Sequence, residues 1–295
     1  MPFRFRKNFI LLALIIITAS LVYFSHQWNA NPQVKGATEC ANCLVIYFFD
    51  VGQGDSGLIR TSNGQDILID GGPDNRVLEK LGQYLPLGDN DIEMMVLTHP
   101  HADHVTGLVG VLERYQVKKI LMTKVPYATA EYQTFLNLIK EKDIATEIVS
   151  GQETITLEAS TTLDIIWPLA NIAGQHFSNP NNSSIVFSLS YVSSTALLMG
   201  DLEQEEELTA DYPDLIKADL LKVGHHGSNN ANDLAFLLAV SPQYAVISAG
   251  ANNRYGHPQY RALKNLEKAG AEIFRTDQQG DLIFYSNGWG FKPVD

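Results

Sequence analysis

Thr98-His99-Pro100-His101-Ala102-Asp103-His104 follows directly on the apolar run Met94-Met95-Val96-Leu97. Three imidazoles and a carboxylate stand together at the end of a segment that reads as a buried strand. Alternate residues of extended chain share a face, so His99 and His101 are aimed to one side. Asp103 and His104 fall on the turn into the next helix and face a second point nearby. The result is two clusters of nitrogen and oxygen donors, which suit a pair of divalent cations such as zinc or manganese. A polar loop that holds histidines by chance is the plain alternative. The chain has only 8 histidines, and the concentration here favours a metal site.

Strands and helices alternate outward from this loop. Leu44–Phe49, Leu58–Thr61 and Asp66–Ile69 read as strands, the last two joined by a Ser62-Asn63-Gly64 hairpin turn. A helix follows Asp70-Gly71-Gly72-Pro73, and another is expected over Val105–Tyr115. Strand Lys119–Met122, helix Ala128–Lys140 and strand Thr146–Val149 come next. Glu153–Trp167 is strand-rich, and Ser184–Val192 with Thr195–Met199 forms a hairpin. Helices are expected at Leu202–Thr209, Ala231–Ala239 and Tyr260–Ala269, and strands at Leu220–Val223, Tyr244–Ile247 and Leu282–Tyr285. Mixed strands flanked by helices predict an α/β sandwich with its site at strand ends.

Other chemistry-bearing residues sit just after strands. Gly200-Asp201 ends one, and a carboxylate there can bridge two cations; an N-cap for the following acidic helix is the competing role. In Lys222-Val223-Gly224-His225-His226-Gly227-Ser228, one histidine can complete the second metal's shell. We assign His226 as ligand and His225 as substrate-facing. His257 in Asn253-Arg254-Tyr255-Gly256-His257-Pro258 is a candidate general acid or phosphate contact, with Arg254 as an anion clamp. Asp50, Asp55 and Asp70 lie in glycine-rich turns, where aspartate is often there for the backbone. Only Asp70 is given a site role, orienting a metal-bound imidazole from behind.

The remaining bounds come from composition. Arg4, Arg6, Lys7 and Lys35 stand in residues 1–35 without an acid. That leaves 17 basic against 33 acidic residues in the rest, a formal charge of −16. Such a body argues against salt-driven binding to long nucleic acid. The uncharged run Phe9–Phe24 would reach about 24 Å as a helix. With Ser25–Trp28 it is long enough for the bilayer core, and its basic flank would stay cytoplasmic. Residues 1–28 are therefore expected to be a signal anchor, residues 29–43 a linker and residues 44–295 the catalytic domain. A cleaved signal peptide is the rival reading. Cys40 and Cys43, the only cysteines, are expected to form a local disulfide or to have no role.

The His-x-His-x-Asp-His loop resembles the signature of the metallo-β-lactamase fold superfamily. Six further motifs in order narrow it: Phe49–Ser56, Leu68–Gly72, Asn181-Asn182-Ser183-Ser184, Met199-Gly200-Asp201, His225–Ser228 and Tyr255–Pro258. Together they look like the hydrolase domain of the bacterial DNA-uptake protein ComEC and its stand-alone relatives, over about residues 44–288. The resemblance implies an αββα four-layer sandwich, here preceded by one N-terminal transmembrane helix. It further implies a two-metal site and phosphoester or phosphodiester hydrolysis. Where many members supply a third histidine to the first metal, this chain has Asn181–Ser184, with Asn182 and Ser184 as supporting or substrate contacts. The first metal then relies on His99, His101 and Asp201, with His176 as a conceivable substitute. Asp103, His104, His226 and the shared Asp201 hold the second. With one apolar span, the chain is not expected to form a DNA channel.

The expected activity is hydrolysis by a metal-activated water. Asp103, His225 and His257 are the catalytic candidates, and the substrate contains phosphate, DNA included. A carbonyl-ester, lactone or β-lactam hydrolase on the same fold competes, because fold does not fix chemistry. So does a non-catalytic, metal-bound component of a DNA-uptake or envelope complex.

Overall fold

A computed structural model of the chain describes Cys40 and residues 42–294. The expected anchor, residues 1–28, and most of the expected linker lie outside the described residues. Among the described residues no helix is long and apolar enough to cross a membrane. Cys40 and Cys43 form a disulfide with their Cα atoms 5.5 Å apart.

The chain opens with strands β1 (Leu44–Phe48), β2 (Gly57–Arg60) and β3 (Asp66–Ile69), then helix α1 (Arg76–Tyr84). Next come β4 (Asp91–Ile92), β5 (Met94–Leu97), α2 (Ala102–Arg114), β6 (Gln116–Val117), β7 (Lys119–Met122), α3 (Ala130–Glu141) and β8 (Ala145–Ile148). The second half holds β9 (Glu153–Glu158), β10 (Thr161–Trp167), β11 (Val186–Tyr191), β12 (Ser194–Leu198), α4 (Glu205–Asp211) and β13 (Leu220–Lys222). It closes with α5 (Leu234–Val240), β14 (Tyr244–Ile247), α6 (Tyr260–Ala269), β15 (Glu272–Arg275), α7 (Thr276–Gln279), β16 (Leu282–Ser286) and β17 (Lys292–Pro293). One sheet runs β17-β16-β1-β2-β3-β5-β7-β8 and the other β15-β14-β13-β12-β11-β10-β9; β4 and β6 pair separately.

The period of two in the strands creates the layers. Ile46 and Phe48 of β1, Ile67 of β3 and Val96 of β5 pack between the sheets against Phe187, Leu198 and Val246. Their neighbours Val45, Tyr47, Leu68, Met95 and Leu97 face the other way, onto α1, α2 and α3. In the second sheet Leu197, Leu221, Ala245 and Ile247 turn outward onto Leu208 of α4, Phe236 of α5 and Leu266 of α6. Both sheets are covered on both faces, so their central strands read as unbroken apolar runs. This is the expected αββα sandwich.

Strands β3, β5, β7 and β8 are parallel, as are β12, β13, β14 and β15. Asp70 follows β3, Thr98 follows β5, Asp201 follows β12, His225 follows β13 and Ser248 follows β14. Backbone bonds tie three of the turns: Gly71 N donates to His104 O at 2.7 Å, Gly72 N to Asp55 O at 2.8 Å and Asp55 N to Asp103 O at 3.2 Å.

Two element boundaries differ from expectation in ways that matter for the site. Helix α2 starts at Ala102 rather than Val105, because His104 and Val105 already donate to the His101 carbonyl. Asp103 and His104 are thus in its first turn, where a carboxylate suits the helix dipole. Helix α4 starts at Glu205 with Gln204 ahead of it, so Asp201 is not its cap. Strand β15, half exposed and without clean alternation, was not expected.

Gly107 brings α2 against the Asp70 turn; a Cβ there would collide with the Gly71 carbonyl, whereas Gly82 in α1 faces open space. Gly107→Ala should lower unfolding stability by about 1–3 kcal/mol. Gly82→Ala should raise it by up to about 1 kcal/mol. Urea unfolding of the two variants checks the packing, and equal effects would contradict it.

Candidate metal centre

Asp201 is buried where the ends of both sheets meet. Its Oδ2 lies 3.4 Å from His104 Nε2, 3.4 Å from His226 Nε2, 3.9 Å from His99 Nε2 and 4.0 Å from His225 Nε2. Its Oδ1, like His104 Nε2 and His226 Nε2, is buried without a hydrogen-bond partner. Each such atom costs on the order of 1–3 kcal/mol if left so, and clustered donors that all face one point fit a cation. His99, His104 and Asp201 form one group that could hold a metal ion, and Asp103, His104 and His226 another. Asp103 Oδ2 is 3.4 Å from His226 Nε2. His101 joins neither group, but its Nδ1 stands 3.0 Å from His99 Nε2.

The far side of each ring fixes which nitrogen faces the centre. His104 Nδ1 meets Asp70 Oδ2 at 2.8 Å. Asp70 in turn accepts from Thr98 N at 2.8 Å and Thr98 Oγ1 at 2.7 Å. His226 Nδ1 meets its acceptor, Ser248 O, at 3.0 Å, and Asp55 Oδ1 stands beside it at 3.1 Å as a charge partner. Both rings therefore carry Nδ1–H and turn Nε2 inward, the nitrogen that a metal would take once its proton has left. Asp70, expected to orient an imidazole from behind, stands against the His104 ring on the side away from the centre. Asp55 was missed, as was Lys222, whose Nζ donates to Asp55 Oδ2 at 2.7 Å. A lysine in the otherwise apolar strand Leu220–Val223 was the available signal.

The electrostatics are those of a site short of positive charge. Burial opposes ionisation of Asp201, but His226 and His104 outweigh it and hold the carboxyl well below the usual range. Burial also penalises His226⁺, yet Asp201 and Asp55 push its pKa up to about 10. His104 is raised likewise by Asp201 and Asp70. Burial, and then the charge on His104, lowers His99 and His101. Asp55 is held at about 2, Lys222 and His226 overcoming its burial.

Above these groups opens a cleft of about 310 Å³ lined by His101, Asp103, Asn181, His225, Tyr255 and His257, among others. His225 and His226 have φ of 47° and 53°, a left-handed backbone that side chains rarely adopt and that concentrates at functional sites. His225 Nδ1 is held by Glu203 Oε1 at 2.8 Å, and Asn181 Nδ2 donates to the same oxygen at 3.0 Å. Glu203 was missed because, two residues after Asp201, it reads as the start of an acidic surface. Asn182 Oδ1 accepts from Glu203 N at 3.2 Å and Ser184 Oγ from Asp201 N at 3.1 Å. The expected Asn182 and Ser184 thus hold the backbone, and Asn181 reaches the cleft.

His257 stacks on Tyr255 with ring centroids 5.7 Å apart, and burial followed by His226 and His225 lowers its pKa to about 4. Its Nδ1 is 3.4 Å from Gln53 Nε2, and Gly250 N donates to Gln53 Oε1 at 3.1 Å. That fixes the amide as donor and leaves the His257 proton on Nε2. His257 is thus a neutral hydrogen-bond donor at pH 7 rather than an imidazolium acid. Arg254 lies over the Tyr255 ring at 4.9 Å and does not line the cleft. His176 lies in a different groove, beside Lys124 and Phe177.

The raised His226 gives a sign for the pH dependence. Its charged form stabilises the metal-free fold fully below about pH 6.5, and that contribution is lost as pH rises through about 10. Metal-free protein should melt at a lower temperature at pH 10 than at pH 7. Zinc should bind more tightly as pH rises, releasing protons that calorimetry in two buffers can count. Asp55→Asn, which strands a buried Lys222, should destabilise by about 3–5 kcal/mol. Adding Lys222→Met should recover stability but not the roughly 10- to 100-fold loss of zinc affinity. Full recovery of zinc affinity in the double variant would remove Asp55 from the site.

The chain is 28% identical to ComE operon protein 3 of Bacillus subtilis (strain 168), which it matches over 97% of its own length and 41% of that protein's. It is also 28% identical to Competence protein ComA of Neisseria gonorrhoeae, over 85% of this chain and 33% of that one. It therefore spans less than half the length of these relatives. Among solved structures, the metallo-beta-lactamase fold protein YhfI from Bacillus subtilis superposes with a TM-score of 0.52 at 12% identity, covering 82% of this chain and 100% of that one. Zn(2+)-bound PqqB from Methylobacterium extorquens gives 0.51 at 11% identity, over 81% and 99%. The sequence profile of the metallo-beta-lactamase superfamily matches residues 49–251, and the chain belongs to that superfamily, with a ComEC-like domain.

Proposed function

We propose that this chain is a dinuclear metal-dependent phosphodiesterase that cleaves nucleic acid. The observation that carries the reading is the pair of donor groups converging on buried Asp201 beneath an open cleft. His99 and Asp201, with His101 drawn in from beside His99, would hold one cation, and Asp103, His104 and His226, with Asp201 shared, the other. Imidazole and carboxylate together suit zinc or manganese. Bound there, the cations would bring the pKa of a water toward neutrality and polarise the phosphoryl oxygens. The ComEC-like character of the domain, with the DNA-uptake role that the sequence resemblance implies, supports a nucleic-acid substrate.

The chain's own groups supply the rest. Asp103 stays ionised beside His226 and positions the attacking water. His225, held at Nδ1 by Glu203, offers Nε2 to the leaving oxygen. His257 donates from Nε2 to a phosphoryl oxygen as a neutral imidazole. Residues 1–28 would anchor the chain in the cell membrane with the body extracytoplasmic. A Cys40–Cys43 disulfide fits that oxidising side.

The full chain, loaded separately with zinc and manganese, should cleave a fluorescent oligonucleotide. Asp201→Asn and His101→Ala should abolish turnover and lose bound metal. His257→Ala should keep metal and lose about 10²-fold in kcat. Two bound metals without cleavage of any phosphodiester would sink the reading and favour carbonyl esters. Protease added to intact spheroplasts should release the folded body; a protected body would overturn the anchor's orientation.

A further inference from the structure

On the far side of Tyr127 lies a second groove of about 640 Å³. Tyr127 belongs to both, and its ring centroid lies 5.2 Å from that of His101. The groove is built rather than incidental. Gln133 Nε2 donates to Tyr127 O at 3.0 Å, which ties one wall to α3. Gly174 N donates to Lys124 O at 3.2 Å, which ties the wall after β7 to the loop that carries His176 and Phe177.

Its lining has a distinctive chemistry. Tyr127, Phe177 and His176 supply aromatic rings over the buried Tyr132, Lys124 supplies an exposed ammonium, and none of the lining residues is acidic. In a body with a formal charge of −16, an acid-free groove beside the metal cleft is a local exception. Flat rings favour a planar aromatic ligand, and the cation favours a nearby phosphate. On the other side of the cleft Tyr255 stacks on His257, with Arg254 over its outer face. A strand laid across the centre would meet an aromatic ring on each side and the Lys124 ammonium on one.

We propose that the Lys124–Phe177 groove is a nucleobase subsite, which seats one unpaired base of a single-stranded polynucleotide while the adjoining phosphodiester lies at the metal centre. This rests on the phosphodiesterase reading. A base inside a duplex has both faces stacked and its edge paired, so it cannot enter a walled groove. Stacking is indifferent to base identity, so the subsite selects single strands rather than sequences.

The test compares four substrates on the metal-loaded full chain: a mixed-sequence single-stranded DNA, the same strand as RNA, its DNA duplex, and a strand carrying abasic residues throughout. Single strands should be cleaved with a KM roughly 5- to 150-fold below that of the abasic strand, and the duplex should be cut poorly. Phe177→Ala should raise KM for the base-bearing strands by a similar factor with kcat little changed, and leave the abasic strand unaffected. Phe177→Tyr should restore the KM, which separates lost stacking from misfolding. Fluorescence anisotropy of the same strands on metal-free protein reads the groove without turnover. Cleavage of all four substrates with equal KM would overturn the subsite and leave the phosphodiesterase reading intact. Base-dependent, Phe177-dependent binding without any cleavage would uphold the subsite and overturn that reading.

Discussion

A buried carboxylate ringed by imidazole nitrogens is the constraint on which this structure turns. Asp201 Oδ1, His104 Nε2 and His226 Nε2 are shut away from water with nothing to bond. An apolar core does not tolerate that unless a ligand completes the set, and a cation is what these donors fit. The price is spread through the fold. Asp70, His225 and His226 all carry left-handed backbones without being glycine. The glycine turns press three loops together so that acceptors stand behind the rings. A Cβ at Gly54 would strike the Asp103 carbonyl and one at Gly250 would crowd the backbone of Gln53. The sandwich is the frame that brings the ends of its parallel strands to this one point.

Much of this was readable from the chain, and for a physical reason. A strand followed at once by a tight turn and a donor residue is a local pattern. It located His99, His101, Asp70, Asp201 and the His225-His226 pair without knowledge of the fold. The layers were readable because each central strand is apolar on both faces. What escaped was long-range. Lys222 and Asp55 are 167 positions apart, and nothing in either neighbourhood names the other. Glu203 was hidden by the acids that follow it. His226 is read as ligand and His225 as substrate-facing from the sequence, but the physical ground for it, Ser248 O and Asp55 behind His226 Nδ1, is visible only in the structure. Arg254 and His176 were chosen by residue type, and residue type says nothing about the direction of a side chain.

The two histidines of the Gly224–Gly227 turn divide the work by what stands behind them. Backed by the Ser248 carbonyl and by Asp55, His226 is buried and reaches the cleft only at its floor. His225 is backed by Glu203, is partly exposed and lines the cleft. Neither assignment follows from chemistry alone, since both are imidazoles one residue apart. The left-handed backbone separates them, turning adjacent side chains toward different surroundings. Such a conformation costs on the order of 1–3 kcal/mol per residue, and the His225 N to Gly200 O and Gln259 N to Gly227 O bonds hold it in place.

An acidic body and a polyanionic substrate look incompatible only if charge is counted over the whole chain. At physiological ionic strength a surface charge is screened within about 8 Å, so distant carboxylates have little say at the cleft. What the proposed substrate would meet is local: the proposed cations, the aromatic walls at Tyr127 and Tyr255, and the Lys124 ammonium of the neighbouring groove. Stacking does not weaken with salt as phosphate contacts do. A site that grips its substrate by bases and by bound metal therefore needs no basic face. The surrounding negative charge would instead discourage loose binding of duplex along the surface. The acidity that first argued against nucleic acid fits an enzyme that selects short, unpaired stretches at a single point.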